Sequence, residues 1–370
     1  MNLSYWELKT WLNNVDYTIV GSGIVGLSTA LHLKQKMPSS KIVILEKGLF
    51  PHGASTKNAG FACFGSLSEI LQDLQSHTTE EVVELVNQRH NGLQLLRNTL
   101  GDAALSYRQL GGYELFLEKE DSLYEHCLQR MEEVNRLLKQ IFNDTVFSTV
   151  SNTFDFKNVQ NNYIRNQFEG QIDPGKMMQG LINKAQKQGI IILNNSTVET
   201  YTEQSNNVII KTNHFEFSTA KLILTTNGFA RQLINEDVQP ARAQVLITKP
   251  LKDLHINGTF HLDCGYYYFR NIDDRILLGG GRNLDFKTEN TTDFSQTQRI
   301  QNALEALLKN TILPDREFEI EHRWSGIMGV GFQKKPIVKQ LSNHVYCGVR
   351  MGGMGIAIGS SIGKQVSEFL

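Results

Sequence analysis

The sequence predicts an α/β protein of two interwoven domains: a parallel-sheet domain and a mixed, largely antiparallel α+β domain. Three observations carry this. Residues 16–46 read as strand, glycine turn, helix and strand, and residues 236–326 are mostly strand-like with one helical interruption. The third is GVRMGGMGIAIGSSIG (348–363), a strand-to-helix turn with six glycines in sixteen residues. At 370 residues the chain is long enough for two ordinary cores.

Composition narrows the function. Hydrophobic residues make up 40% and charged residues 20%, as in soluble globular proteins. Lys plus Arg total 37 against 38 for Asp plus Glu, so there is no basic surplus and no nucleic-acid partner is expected. Cys63, Cys127, Cys264 and Cys347 stand far apart without a CxxC pair, which argues against a zinc site and a disulfide framework. The segment MNLSYWELKTWL lacks the pattern of a signal peptide. Tyr17–Leu33 carries no Asp, Glu, Lys or Arg, but 17 residues with three glycines are too few to span a membrane. The expectation is a cytoplasmic protein with no membrane span.

Asp16–Val20 is a short apolar, β-branched run, hence a buried strand. It enters Gly21-Ser22-Gly23-Ile24-Val25-Gly26, after which Leu27, Ala30, Leu31 and Leu33 recur at helical spacing up to Met37-Pro38. A second strand, Lys41–Leu45, closes on Glu46, twenty residues beyond Gly26, with Lys47 beside it. Gly21 allows the tight turn, Gly23 lets a pyrophosphate approach the backbone, and Gly26 lets helix and strand pack closely. The pyrophosphate belongs on the helix N-terminus, and Glu46 accepts from the ribose hydroxyls. The unit fits NAD and FAD alike. Ala54, Ser55, Thr56, Lys57, Asn58, Ala59, Gly60 and Phe61 then fit either a plain polar loop or one lying along a longer cofactor.

From residue 66 the pattern turns helical. Thr78-Thr79-Glu80-Glu81 reads as a capping box for a helix with Val82, Leu85, Val86, Leu93 and Leu96 apolar. Tyr113–Leu117 reads as a strand, residues 121–142 as a helix, and Pro174–Lys187 as a helix with Pro first and Gly189 just past its end. Strands follow over 197–225, then the strand-like 236–326 with a helix near Phe294–Leu308. Val345 and Tyr346 end a strand, and a helix runs from Ile356. The glycines between them serve either tight packing of that helix or close approach of a cofactor to the backbone. GSSIGK (359–364) is one residue short of a nucleotide-hydrolase phosphate loop.

GASTKNAGF (53–61) is similar to the GASGRNAG-type loop of FAD-dependent oxidoreductases of the D-amino acid oxidase, glycine oxidase and sarcosine oxidase superfamily, and the resemblance covers the whole chain. Gly170–Pro174 resembles that family's GxxDP helix start, and Leu222–Gly228 its second FAD-contacting strand. Tyr266–Arg270 with Leu278–Arg282 resembles the hairpin over the flavin, and Trp324-Ser325-Gly326 the WxG entry to the active site. The resemblance implies a Rossmann-like FAD domain of glutathione-reductase type over 1–72, 165–235 and 336–370, with a mixed-sheet substrate domain over 73–164 and 236–335. To the cofactor it assigns Val198, Thr225, Thr226, Gly228 and Gly326, with Arg350, Gly352, Gly353, Met354, Gly355 and Ile356 at the closing turn. That turn is expected beside the flavin pyrimidine ring, where the helix dipole stabilises the negative charge of the reduced form.

The implied chemistry is hydride transfer to flavin N5 from the carbon next to an amine nitrogen, giving an imine that hydrolyses. Tyr267 and Tyr268 alternate on their strand, so one of them faces the site. Trp324 is either a pocket wall or a core residue. Arg270 or Arg282 is either a substrate clamp or a structural cation.

Three departures refine this. Where amino-acid oxidases place an arginine after WxG, this chain has Ile327-Met328-Gly329-Val330, and Met328 suits an alkyl or aromatic amine. Ile276–Leu278 lacks the lysine of sarcosine oxidases, so the acceptor is oxygen or another oxidant. No cysteine follows WxG, so FAD is expected to be non-covalent. Relatives of γ-glutamylputrescine oxidase are the nearest in kind. A flavoprotein with a binding or assembly role and an FAD-dependent 2-hydroxy-acid dehydrogenase stand as alternatives.

Overall fold

In the computed structural model, which describes residues 2–370, the strand Val15–Val20 lies parallel to Ile42–Leu45 on one side and Glu216–Leu224 on the other. The parallel set extends to Ile191–Leu193 at one end and Val345–Val349 at the other, where Ile337–Gln340 adds an antiparallel edge. Both faces are covered, so alternate side chains enter different cores. Ile42 and Ile44 pack under the helices Ile24–Lys36, Pro174–Lys187 and Gly355–Glu368, whereas Val43 and Leu45 face the meander Val198–Glu203, Val208–Thr212 and Glu216–Leu224. That two-sided burial explains the unbroken apolar runs.

The second sheet has eight strands in the order 320–330, 239–248, 275–280, 267–272, 259–262, 112–114, 162–166, 147–151, with only 259–262 and 112–114 parallel. Phe260, Phe269 and Leu278 pack on the helix Gln298–Leu307 on one face. Helices Leu67–Ser76 and Asp121–Phe142 share another core, with Phe116, Phe147 and Ile164. The helix Thr79–Leu100 opens with the expected capping box: Glu81 N donates to Thr78 Oγ1 at 3.2 Å, and Thr78 N to Glu81 Oε2 at 3.1 Å. It packs on the closing helix and so ties the 73–164 segment to the nucleotide-binding core. The strand Asn162–Asn166 belongs to the second sheet and crosses the boundary expected at 164/165. Among the described residues no helix is long and apolar enough to cross a membrane.

Candidate functional site

A cavity of about 860 Å³ opens at the C-terminal ends of the parallel strands and runs between the two sheets. This is where open α/β sheets bind ligands, and the volume is that of a ligand pocket. The first glycine turn forms one end. Gly21 has φ +106°, and a Cβ on Gly26 would sit 2.0 Å from the Gly21 carbonyl oxygen, so Gly26 is the packing glycine the spacing predicts. Glu46 lines the cavity with its carboxylate fixed from behind: Oε2 accepts from Ser22 N at 3.1 Å and Ser22 Oγ at 2.8 Å, and Oε1 from Gly48 N at 2.9 Å. Lys47 Nζ stands 3.3 Å from the centre of the Phe229 ring, and burial pulls its pKa down.

The 53–61 segment forms a helical turn, Ala54–Lys57, rather than the loop the sequence suggested. Ser55 Oγ accepts from Ile24 N at 3.0 Å, which fastens this turn to the N-terminus of the first crossover helix. Asn58 Oδ1 accepts from Gly60 N at 2.8 Å, and its amide donates to Ser55 O at 2.8 Å. Ala54, Ser55, Lys57, Asn58, Ala59, Gly60 and Phe61 all line the cavity, as do Gly21, Gly23, Ile24, Val25, Val198, Thr225 and Thr226. At the far end stand Gly326, Met328, Arg350, Gly352, Gly353, Met354, Gly355 and Ile356.

Six expected residues lie behind the wall instead. Ser22 and Gly26 do so for the reasons above. Thr56 Oγ1 donates to Pro51 O at 2.5 Å, and Gly228 abuts the Met328 carbonyl. Trp324 Nε1 donates to Lys57 O at 2.9 Å, so this indole supports the loop from beneath. Tyr267 points into the core with Phe269, while Tyr268 faces the cavity. Burial pushes the Tyr268 phenol up to about 12, so it keeps its proton. Arg282 lines the cavity with its guanidinium 4.8 Å from the Phe286 ring, and among the described residues it forms no ion pair. Arg270 is 2% exposed and packs on Gly60. Arg350 is spoken for: it donates to Asp237 Oδ2 at 2.8 Å and Lys335 O at 2.8 Å.

Several lining residues were not singled out from the sequence. Asn227, in the left-handed region at φ +45°, accepts from Met351 N at 3.0 Å and so pins the entry to the closing turn. His261 and Glu69 also line the cavity. His261 sits in the apolar tetrapeptide TFHL, and its partner Glu169 is 92 residues away, so local patterning carries no signal for the pair. Cys63 and Cys264 face the cavity, but burial raises both pKa values, Cys264 up to about 11, and keeps them as thiols.

The residues fit an extended dinucleotide. Cβ atoms on Gly352 and Gly353 would meet no protein atom within 4 Å, so these glycines leave room for something other than protein. Thr226 Oγ1 is buried at the cavity with no hydrogen-bond partner among the described residues, a polar atom awaiting one. A crossover unit at one end and a bare helix-start turn at the other define a dinucleotide-dependent redox protein. The chain belongs to the family described as DAO: FAD dependent oxidoreductase, matched over residues 16–369, and its cofactor is FAD. It is 22% identical to the probable oxidoreductase OrdL of Haemophilus influenzae, over 97% of this chain and 83% of that one. It is 21% identical to the gamma-glutamylputrescine oxidoreductase of Escherichia coli, over 96% and 83%. The fold also matches glycine oxidase from Geobacillus kaustophilus, with a TM-score of 0.76, 16% identity, and 96% and 94% of the two chains covered.

Proposed function

We propose that this FAD-dependent oxidoreductase oxidises an amine, which loses hydride from the carbon next to nitrogen and leaves as an imine that water hydrolyses. FAD, when bound, supplies the hydride-accepting centre. The observation that carries the reading is the charge pattern around Tyr268 and His261. Glu69 reaches the cavity with no ion pair among the described residues. The cations nearby are engaged, since Lys334 Nζ bonds Asp73 Oδ1 at 2.5 Å and Arg89 donates to Phe64 O at 2.8 Å. Glu69, whose Oε2 caps Ser66 N at 2.9 Å but which no cation among the described residues neutralises, favours an ammonium at this stretch of the wall, although Arg282 lines the same cavity without an ion pair. The apolar Ile327 and Met328 agree with this, as does the activity for which the Escherichia coli relative is named.

In this reading Gly352, Gly353 and the start of helix Gly355–Glu368 hold the flavin end, Glu46 holds the ribose, and Gly21–Val25 with Ser55 hold the pyrophosphate. Attachment is non-covalent. Leu277, buried with Ala59 and Val245, lies in the Ile276–Leu278 stretch that lacks the lysine the family resemblance would place there, so the acceptor is oxygen or another oxidant.

A second reading rests on Arg282, whose unpaired cation suits a substrate that also carries a carboxylate away from the amine. Anaerobic mixing of the yellow protein with amines, amino acids and 2-hydroxy acids tests both. Bleaching by amines is the expected result, and Arg282→Leu should raise KM at least tenfold for acid-bearing amines alone. Bleaching by hydroxy acids only, or by none of the panel, overturns the assignment.

A further inference from the structure

A buried carboxylate–imidazole pair presents its imidazole, His261, to the cavity and has no role in cofactor binding as assigned above. Glu169 is 1% exposed and His261 5%. Glu169 Oε1 accepts from His261 Nε2 at 2.5 Å and from Thr259 Oγ1 at 2.9 Å, so both the carboxylate and the ring are oriented. With Nε2 committed to Glu169, Nδ1 is the ring nitrogen left over.

The register fixes where it stands. His261 pairs directly with Tyr268 across the hairpin, so the two side chains share one face of the sheet, and Tyr268 faces the cavity. Phe61 bridges them, with its ring centre 5.2 Å from that of His261 and 5.6 Å from that of Tyr268. The imidazole therefore belongs to the same wall as the 53–61 segment. Glu69 comes to this stretch from the helix Leu67–Ser76 and supplies the attraction for a cation.

We propose that His261, held in place by Glu169, removes the proton from the substrate's ammonium group before the adjacent C–H bond breaks; this rests on the amine reading above. The N–H bond of R–CH2–NH3⁺ breaks and its electron pair stays on nitrogen. The proton bonds to the Nδ1 lone pair, and the imidazolium is balanced by the Glu169 carboxylate through Nε2–H. Nothing is oxidised in this step. The amine lone pair it frees is the pair that becomes the C=N π bond when hydride leaves. His261 is a catalytic residue in this scheme, and Glu169 a positioning residue.

The charged groups around the ring are Glu169 in contact, Glu114 on the neighbouring strand and Glu69 on the helix; Phe61 and Tyr268 are uncharged. Burial alone pulls the imidazole pKa down, but Glu169, with Glu69 and Glu114, outweighs it and lifts the value to about 9. The base-competent neutral form therefore grows as pH rises, and amine-driven flavin reduction should climb about tenfold per unit below pH 9 and level off above it.

The test uses the full-length, FAD-bound protein. The pH profile of anaerobic flavin reduction is compared for wild type, His261→Asn and Glu169→Gln, with amines of different ammonium pKa. The expected result is a limb near pH 9 that stays put between substrates in the wild type, and that moves toward the ordinary histidine value of about 6.5 in Glu169→Gln. His261→Asn should lose that limb and slow by about 100-fold or more, with FAD affinity unchanged. As an independent readout, NMR of ¹⁵N-labelled imidazoles should show one histidine titrating near 9, absent in His261→Asn. A His261→Asn protein that holds FAD and is reduced at the wild-type rate and profile overturns the proposal, as does a His261 resonance titrating near 6.5. If no amine bleaches the wild type, the functional reading itself fails; if amines bleach wild type and His261→Asn alike, only this inference does.

Discussion

At the scale of single residues, Glu46, the proposed ribose acceptor, is held in one orientation by the protein itself. Three donors from Ser22 and Gly48 hold the carboxylate at the end of its strand, 5% exposed, so little orientation remains to be lost on binding. Glu46→Ala removes the acceptor and leaves the buried Ser22 donors unpaired. FAD affinity should fall at least tenfold by titration of the cofactor-free protein. Urea unfolding should show a loss of about 1–3 kcal/mol. Undiminished FAD retention would remove Glu46 from the ribose contact. Tyr267 and Tyr268 carry a complementary lesson. Strand alternation says that one of two adjacent tyrosines faces the site, but which one depends on the register with Thr259–Leu262, set by pairing that no local pattern reveals.

At the scale of elements, the glycines before and within the closing helix divide into two groups with different physics. Gly359 and Gly363 are packing glycines: a Cβ on Gly363 would lie 2.5 Å from Ser28 Cβ and 2.7 Å from Val25 O, and one on Gly359 would lie 2.6 Å from Ile24 Cγ2. From the other side, Gly92 brings the helix Thr79–Leu100 against Ala357 O. A Cβ on Gly352 or Gly353 would meet no protein atom within 4 Å, and both line the cavity. Of the two explanations open at the sequence level, tight packing applies to Gly359 and Gly363, and close approach of the cofactor is the proposal for Gly352 and Gly353. Crossed effects follow. Gly363→Ala should cost about 1–3 kcal/mol of stability by overpacking. Gly353→Ala should leave the melting temperature of the cofactor-free protein unchanged and weaken FAD binding severalfold. Equal effects of the two on stability would refute the division. Elements with strong periodicity or caps were legible: the crossover unit, the capping box at Thr78, and the helices Asp121–Phe142 and Pro174–Lys187. The strand Phe147–Ser151 was not, because it is an edge strand with three exposed polar positions and little alternation to read. The Ala54–Lys57 turn was missed because its stability comes from outside, through Ser55 and the Trp324 indole.

At the scale of the whole molecule, the cavity is assembled from parts that are remote in sequence. Its walls come from the first crossover, the 53–61 turn, the second sheet through Tyr268 and Met328, and the closing turn at Gly352. No single domain contains the site, so a ligand that fills it binds the folded arrangement of both sheets and has little to hold in the unfolded chain. Linkage then makes FAD a stabiliser of the entire fold. At a free concentration one hundred times its Kd it should add about 2.7 kcal/mol. For a chain of this length, with an unfolding entropy of about 2 cal/mol/K per residue, that corresponds to a rise in Tm of roughly 3–4 °C. The rise should continue logarithmically with added FAD, and Glu46→Ala should need correspondingly more cofactor to reach the same Tm. Differential scanning calorimetry across an FAD series checks this. A Tm that ignores FAD, or a shift confined to one of two resolved transitions, would mean that the cofactor does not join the two sheets.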